Sequence, residues 1–168
     1  MGGLPVSEVE SLWDDYVGRA LSERERRLSS EFTVSRDDLA AEVTPFGILR
    51  WYLHPRLVTR ATSALYCFEL EIPAGSRSGR LRHPGGIVHF VAQGSGYTTF
   101  DDADHRWEKM DLIGIPARPE GVEFQHFNDG PGPARLVLTL PNFDSSLGAG
   151  LGAALDVVEP CPEYQESL

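Results

Sequence analysis

The stretch that most constrains the fold runs from Gly75 to Asn128, centred on Leu81-Arg82-His83-Pro84-Gly85-Gly86-Ile87-Val88-His89-Phe90-Val91-Ala92-Gln93-Gly94. A Pro-Gly-Gly turn separates a short run ending at His83 from a β-branched and aromatic run, Ile87 to Ala92, which Gly94-Ser95-Gly96 turns back. Closely spaced turns between strand formers require antiparallel pairing. With a period of two, Ile87, His89, Val91 and Gln93 share one face of their strand, and Phe124 and His126 share one face of another.

The same grammar extends in both directions. Gly47 to Leu53 and Thr62 to Ile72 are rich in strand formers and end at Pro55 and at Pro73-Ala74-Gly75. Tyr97 to Phe100, a turn at Asp101-Asp102-Ala103-Asp104, and His105 to Trp107 form a further hairpin, in which Tyr97 and Thr99 are expected to reach the interior. Three aspartates in that turn lack the spacing, the glycine and the closing glutamate of a calcium loop. Val122 to Phe127 and Arg135 to Leu140 complete the strands, separated by the Asn128 to Pro133 loop. Trp51 and Tyr66 are read first as core and second as the lining of a pocket for an aromatic or polyene ligand.

Before the strands, residues 7 to 28 are predicted to form a helix. Ser7 and Glu10 make a capping box, and Val9, Leu12, Trp13, Tyr16, Ala20 and Leu21 make one apolar stripe, which predicts packing against the outside of the sheets. A second short helix is predicted from Ser35, with Asp38 three residues on. The segment from Ser145 to Leu168, glycine-rich and then acidic and proline-containing, reads as a covering or partner-facing segment. Its Gly148-Ala149-Gly150-Leu151-Gly152 run lacks the lysine and Ser/Thr of a phosphate loop.

A chain of 168 residues, 41% hydrophobic, is sized for a single folded unit with a substantial core. The formal charge of −10, from 25 acidic against 15 basic residues, repels phosphate backbones and excludes nucleic acid as a partner class. Met1 to Asp15 lacks the basic start and apolar core of a signal peptide, and no stretch approaches a membrane span, so a cytoplasmic setting with no membrane partner is expected. Cys67 and Cys161 are expected to be separate thiols.

The spacing of the central stretch resembles that of the cupin superfamily. Gly75, Leu81, His83, Ile87 and Gly94 fall on the skeleton of its first motif, and Met110-Asp111 through Pro116, Gly121, Phe124 and Asn128 on that of its second. The likeness covers about residues 46 to 142 and is greatest to small gentisate-dioxygenase-like members. It implies an all-β fold, a double-stranded β-helix or jelly-roll barrel. Residues 1–45 would be an N-terminal helical extension, 46–142 the barrel and 143–168 the covering segment. Met110 stands where the resemblance expects glycine, which implies a strained or altered turn.

The resemblance also implies what has been lost. Metal-binding cupins converge two histidines, often a glutamate, and a further histidine on one ion. Here those positions carry Leu81, His83, Ile87 and Phe124, so one donor remains and no metal is expected at the inherited site. In gentisate-type relatives the histidine at the position of His126 resembles an acid or base beside the substrate.

Three functions follow as expectations. The first is a metal-independent cupin enzyme without cofactor, carrying out isomerisation, cyclisation or dehydration of a small hydrophobic or aromatic metabolite. His126 and His89 would be its acid/base pair with His83 supporting, and Leu81, Ile87, Gln93, Phe124, Tyr97, Trp51 and Tyr66 would hold the substrate. The second is an iron(II)-dependent gentisate-type dioxygenase with a displaced site of His83, His89 and His126. The third is a non-catalytic small-molecule-binding protein. The strand Ile87 to Ala92 is apolar on both faces, so its outward residues Val88, Phe90 and Ala92 need cover, from the N-terminal helix or from a second subunit in a homodimer.

Overall fold

The alternating strands close into two antiparallel sheets that face one another across the core. The computed structural model describes residues 11–60, 64–142 and 155–165. Eleven strands are present among them: β1 (Glu42–Val43), β2 (Ile48–Leu53), β3 (Leu65–Ile72), β4 (Arg80–His83), β5 (Ile87–Gln93), β6 (Ser95–Phe100), β7 (Ala103–Glu108), β8 (Leu112–Ile115), β9 (Val122–Phe127), β10 (Ala134–Pro141) and β11 (Asp156–Glu159). One sheet has the order β1-β2-β3-β10-β5-β8 and the other β11-β4-β9-β6-β7. Non-consecutive neighbours such as β3-β10 and β4-β9 are the crossovers of a jelly roll.

Each sheet turns its apolar alternation inward. Leu70, Ile72, Val91, Leu136 and Leu138 from the first sheet and Leu81, Val122, Phe124 and Trp107 from the second are almost wholly buried against each other. At about 25 cal/mol per Å² of apolar surface, removing these side chains from water is the main drive that closes the two sheets.

The turns have the chemistry their residues suggest. Asp101 and Asp102 both adopt positive φ (53° and 56°), the two-residue hairpin connection whose twist matches its strands. Gly85 has φ 96°, and a Cβ there would lie 1.9 Å from the Pro116 carbonyl oxygen, so only glycine fits. Met110 has φ 81°: the strained turn implied by its replacing glycine is present.

α1 (Leu12–Ser29) starts later than the predicted 7 to 28, with Ser11 as its cap, accepting from the Asp14 N–H; the Ser7/Glu10 box lies outside the described residues. Its expected packing is corrected. None of its residues is buried, and Leu12, Trp13, Tyr16 and Leu21 are exposed. Capping and the Arg19–Asp15 pair at 2.8 Å satisfy the helix locally, while its apolar stripe receives no cover from the described part of the chain. The second short helix is the 3₁₀ turn Arg36–Asp38, capped by Ser35 as predicted. β11 was not predicted. It pairs with the edge strand β4, and Cys161 just beyond it donates its N–H to Pro45 O at 2.8 Å. Cys67 and Cys161 are free thiols. Among the described residues no helix is long and apolar enough to cross a membrane.

Candidate functional site

The β4–β9 pair sets the floor of the lumen. Leu81 lies opposite Phe124 and His83 opposite Val122, so the alternation that buries Leu81 also turns His83 inward. The Pro84-Gly85-Gly86 turn then fixes the ring, because the Gly85 N–H donates to His83 Nδ1 at 3.0 Å. An accepting Nδ1 carries no hydrogen, and the neutral ring therefore holds its proton on Nε2. The turn that only glycine can make is also what selects the tautomer of His83.

His83 lines a cavity of about 400 Å³. Its walls are Leu81 and Phe124 from one sheet, Leu49, Trp51, Tyr66, Phe68, Ile87, Leu138 and Leu140 from the other, and Thr44, Pro45, Phe46, Leu155 and Val157 at the edges. No Asp, Glu, Lys or Arg is among these residues. Trp51 and Tyr66 are thus pocket lining. Trp51 packs on Phe68 with ring centroids 4.6 Å apart, and its indole N–H donates to Glu42 at 3.0 Å.

Behind the cavity lie His89 and His126, both fully buried, with ring centroids 4.8 Å apart. Phe124 separates them from the cavity, at 5.6 Å from His89 and 5.5 Å from His126, and Phe46 stands 6.2 Å from His126. The backbone of His126 is pinned on both sides by Ser78, whose hydroxyl accepts from the His126 N–H at 3.0 Å and whose N–H donates to the His126 carbonyl at 2.8 Å.

A buried relay sets the His126 tautomer. The Trp107 indole, a donor only, gives its hydrogen to Thr98 Oγ1 at 3.0 Å, and that hydroxyl lies 2.7 Å from His126 Nδ1. Thr98 must place its own hydroxyl hydrogen, and Nδ1 is the acceptor within reach among the described residues; donation to Nδ1 leaves the proton of His126 on Nε2. Among the described residues that Nε2 has no hydrogen-bond partner, nor has either ring nitrogen of His89. Burial lowers the His126 pKa from its ordinary value to about 3. Burial, then the neighbouring His126 and His83, push His89 well below the ordinary histidine range. Both rings are neutral at physiological pH. An unpartnered buried polar atom costs roughly 1–3 kcal/mol, so three in one chamber are a large local frustration.

Two predicted substrate contacts are corrected. Gln93 leaves the lumen because the β5–β10 register shifts: Val91 faces Leu136 but Gln93 faces Arg135, which places an extra residue, Ala92, in the strand. Gln93 then accepts from Arg135 at 3.2 Å on the outer face. Tyr97 also faces outward, stacked on Phe127 at 4.8 Å beneath Arg106, and the expectation for Thr99 fails with it. The inward residues of β6 are Gly96 and Thr98. A Cβ at Gly96 would meet the Phe127 carbonyl oxygen at 2.0 Å and the Trp107 ring at 2.6 Å, so only glycine fits at that inward position. Thr98, Trp107, Ser78 and Phe46 were missed as site residues, and the glycine opposite a tryptophan was the available signal.

The donor set does not fit the metal that cupins commonly hold. Among the described residues no group of three His, Cys, Asp or Glu is disposed to bind an ion, and the positions beside His83 are filled by Leu81, Ile87 and Phe124. The displaced three-histidine site is not assembled either. Along β9, Phe124 intervenes between Val122, opposite His83, and His126.

Comparison with known proteins agrees with the topology. Residues 68–140 match the cupin domain family. The polyketide cyclase RemF from Streptomyces resistomycificus superposes with a TM-score of 0.56 at 16% identity, covering 66% of this chain and 79% of that one. An uncharacterised conserved protein with a double-stranded β-helix domain from Klebsiella pneumoniae gives 0.57 at 17%, covering 77% and 99%. A predicted oxalate decarboxylase from Thermotoga maritima gives 0.51 at 15%, covering 64% and 96%. No curated protein matches by sequence. At these identities the structural likenesses carry the fold alone, and the narrower gentisate-dioxygenase likeness gains no support from them. Residues 68–140 are thus a cupin domain, and the barrel around them has the cupin fold.

Proposed function

We propose that the protein is a metal-independent cupin enzyme that catalyses proton transfer, as in an isomerisation, cyclisation or dehydration, on a small hydrophobic or aromatic metabolite held in the lumen. The observation that carries this reading is an uncharged cavity of about 400 Å³ backed by a fully buried imidazole pair with unpartnered nitrogens. Such a volume suits a small organic ligand, and its walls offer that ligand mostly hydrocarbon and aromatic surface.

The tautomers divide the work. His126 presents Nε2–H as a donor, and His89, neutral and unpartnered, has a lone pair free to accept a proton. Neutral imidazole can polarise a carbonyl by hydrogen bonding, as depressed-pKa histidines do in other enzymes. His83, its ring held in the cavity wall by the Gly85 N–H, would orient the substrate there. A carbon acid adjacent to a carbonyl would lose its proton to His89 while the oxygen is held by His126. The proton then returns to a different carbon or to the oxygen. A cyclase as a structural neighbour is compatible with such chemistry.

Solvent exchange tests the reading without knowledge of the natural substrate. Uncharged aromatic ketones incubated with the enzyme in deuterium oxide should gain deuterium beside the carbonyl faster than in buffer. His126→Ala should cut the enzymatic rate by on the order of a hundredfold while leaving the circular dichroism spectrum unchanged. An undiminished rate in that variant removes His126 from the mechanism. A homodimer covering the exposed stripe of α1 and Val88 completes the proposal, and sedimentation showing a monomer at micromolar concentration would refute it.

A further inference from the structure

The unpartnered nitrogens behind Phe124 also say what kind of group the lumen can take, given the reading above that this lumen is the substrate site. His89 and His126 are fully buried, and Phe46 and Phe124 lie on the side that faces the cavity. Among the described residues no cationic side chain lines the cavity, and Arg36, Arg50 and Arg135, beside the first sheet, are engaged with Glu69 and Glu71 on its outer face. A carboxylate or phosphate brought inside would give up its water with no counter-charge to meet it. A hydrocarbon would leave the nitrogens as they are. An uncharged oxygen, carbonyl or phenol, would accept from His126 Nε2–H, and a phenol or enol hydroxyl would also donate to the lone pair of His89.

We infer that His89 and His126 form an inner subsite for one uncharged oxygen-bearing group, reached from the apolar cavity past Phe46 and Phe124. The substrate class is therefore a neutral, mostly hydrocarbon ketone, enol or phenol. Substrate enters oxygen first, its ring system remaining among Leu81, Trp51 and Phe68. Selectivity arises because sites built to hydrogen-bond an oxygen discriminate strongly against the analogue that lacks it, and because a buried charge without a partner is costlier still.

Three probes of similar bulk separate the possibilities: tetralone with a carbonyl, tetralin with no oxygen, and naphthoate with a charge. Binding is read by quenching of tryptophan fluorescence, and the imidazole nitrogens by ¹⁵N resonances of histidine-labelled protein. Tetralone should bind on the order of tenfold or more tighter than either analogue and should shift the nitrogen resonances of His126 and His89. The preference for tetralone over tetralin should vanish in His126→Leu and in His126→Phe, two variants of different bulk that carry no donor. Equal affinity for tetralin, tighter binding of naphthoate, no binding by any probe, or unmoved imidazole resonances at saturating tetralone would each overturn the inference. Because these are binding measurements, a wild-type protein that binds tetralone as stated but exchanges no deuterium would sink the enzymatic reading and leave the subsite standing.

Discussion

The two faces of the sheet formed by β2, β3, β10 and β5 bury polar groups in opposite ways. On the outer face Glu69, only 3% exposed, lies within 2.9 Å of Arg36 and 3.4 Å of Arg50, and Glu71 is bound by Arg36, Arg50 and Arg135 at 2.8, 3.3 and 3.1 Å. Gln93 closes the group by accepting from Arg135. Every carboxylate there has a cation. On the lumen face of the same sheet His89 is more deeply buried, and its ring nitrogens have no hydrogen-bond partner among the described residues. Stability alone would favour an apolar residue at that position, whereas a complete ionic network fixes strand register and holds the Arg36 turn against the sheet. The satisfied face reads as architecture and the unsatisfied one as function.

Acid should separate the faces most strongly. Below pH 6.5 a histidine in the unfolded chain takes up a proton that His126, with a pKa near 3, does not accept when folded. The unfolded state then binds more protons, so stability falls as pH falls, by about 1.4 kcal/mol per pH unit for that ring. The loss is complete near pH 3, where folded His126 also protonates, and would amount to roughly 4–5 kcal/mol. His89, shifted in the same direction, adds to the slope. Urea denaturation between pH 7 and 4.5 should show a shallower decline for His126→Gln than for the wild type. Parallel declines would mean that water reaches the ring.

Next in size is the outer network. Glu69→Ala leaves Arg36 and Arg50 with Glu71 as their one remaining shared carboxylate and should cost about 3 kcal/mol, the two arginines being partly hydrated. Chemical denaturation at neutral pH measures it. A loss below 0.5 kcal/mol, of the order expected at the surface, would show that the network follows the register rather than fixing it.

The opposite sign is expected inside. His89→Leu removes two unpartnered nitrogens from the chamber and should raise stability by about 1 kcal/mol at pH 7 while abolishing deuterium exchange. Stabilisation with loss of activity is the signature of a residue kept for function. Destabilisation would place an ordered water against His89 and make the ring structural.

The barrel was legible in the sequence because strand alternation, glycine turns and motif spacing all point one way. Leu81, Ile87 and Phe124 were correctly aimed inward for the same reason. Gln93 and Tyr97 were not, because a bulge of one residue and a glycine turn each reset parity, and periodicity cannot cross such a reset. The partition of the lumen was equally invisible. Spacing places His83, His89 and His126 on inward positions, yet only the side-chain packing shows that His83 lines the cavity while Phe124 and Phe46 stand between it and the other two. The apolar stripe of α1 was correctly read as a stripe, but amphipathicity names no partner, and the described chain supplies none.

The smallest effect tests whether facing, rather than nearness, is what matters. Arg82 and Glu123 pair across β4 and β9 on the solvent side, one residue along from Leu81 and Phe124. Their side chains are 45% and 39% exposed, so Coulomb attraction is screened and two long side chains lose rotamer freedom to meet. Arg82→Ala should change stability by no more than about 0.5 kcal/mol. It should leave tetralone affinity and deuterium exchange at wild-type values, because the pleat points Arg82 away from a cavity whose wall its neighbours form. A loss of binding in this variant would mean that the β4 edge, where β11 docks through Asp156 opposite Arg82, controls access to the lumen. The division between the faces would then fail at that edge first.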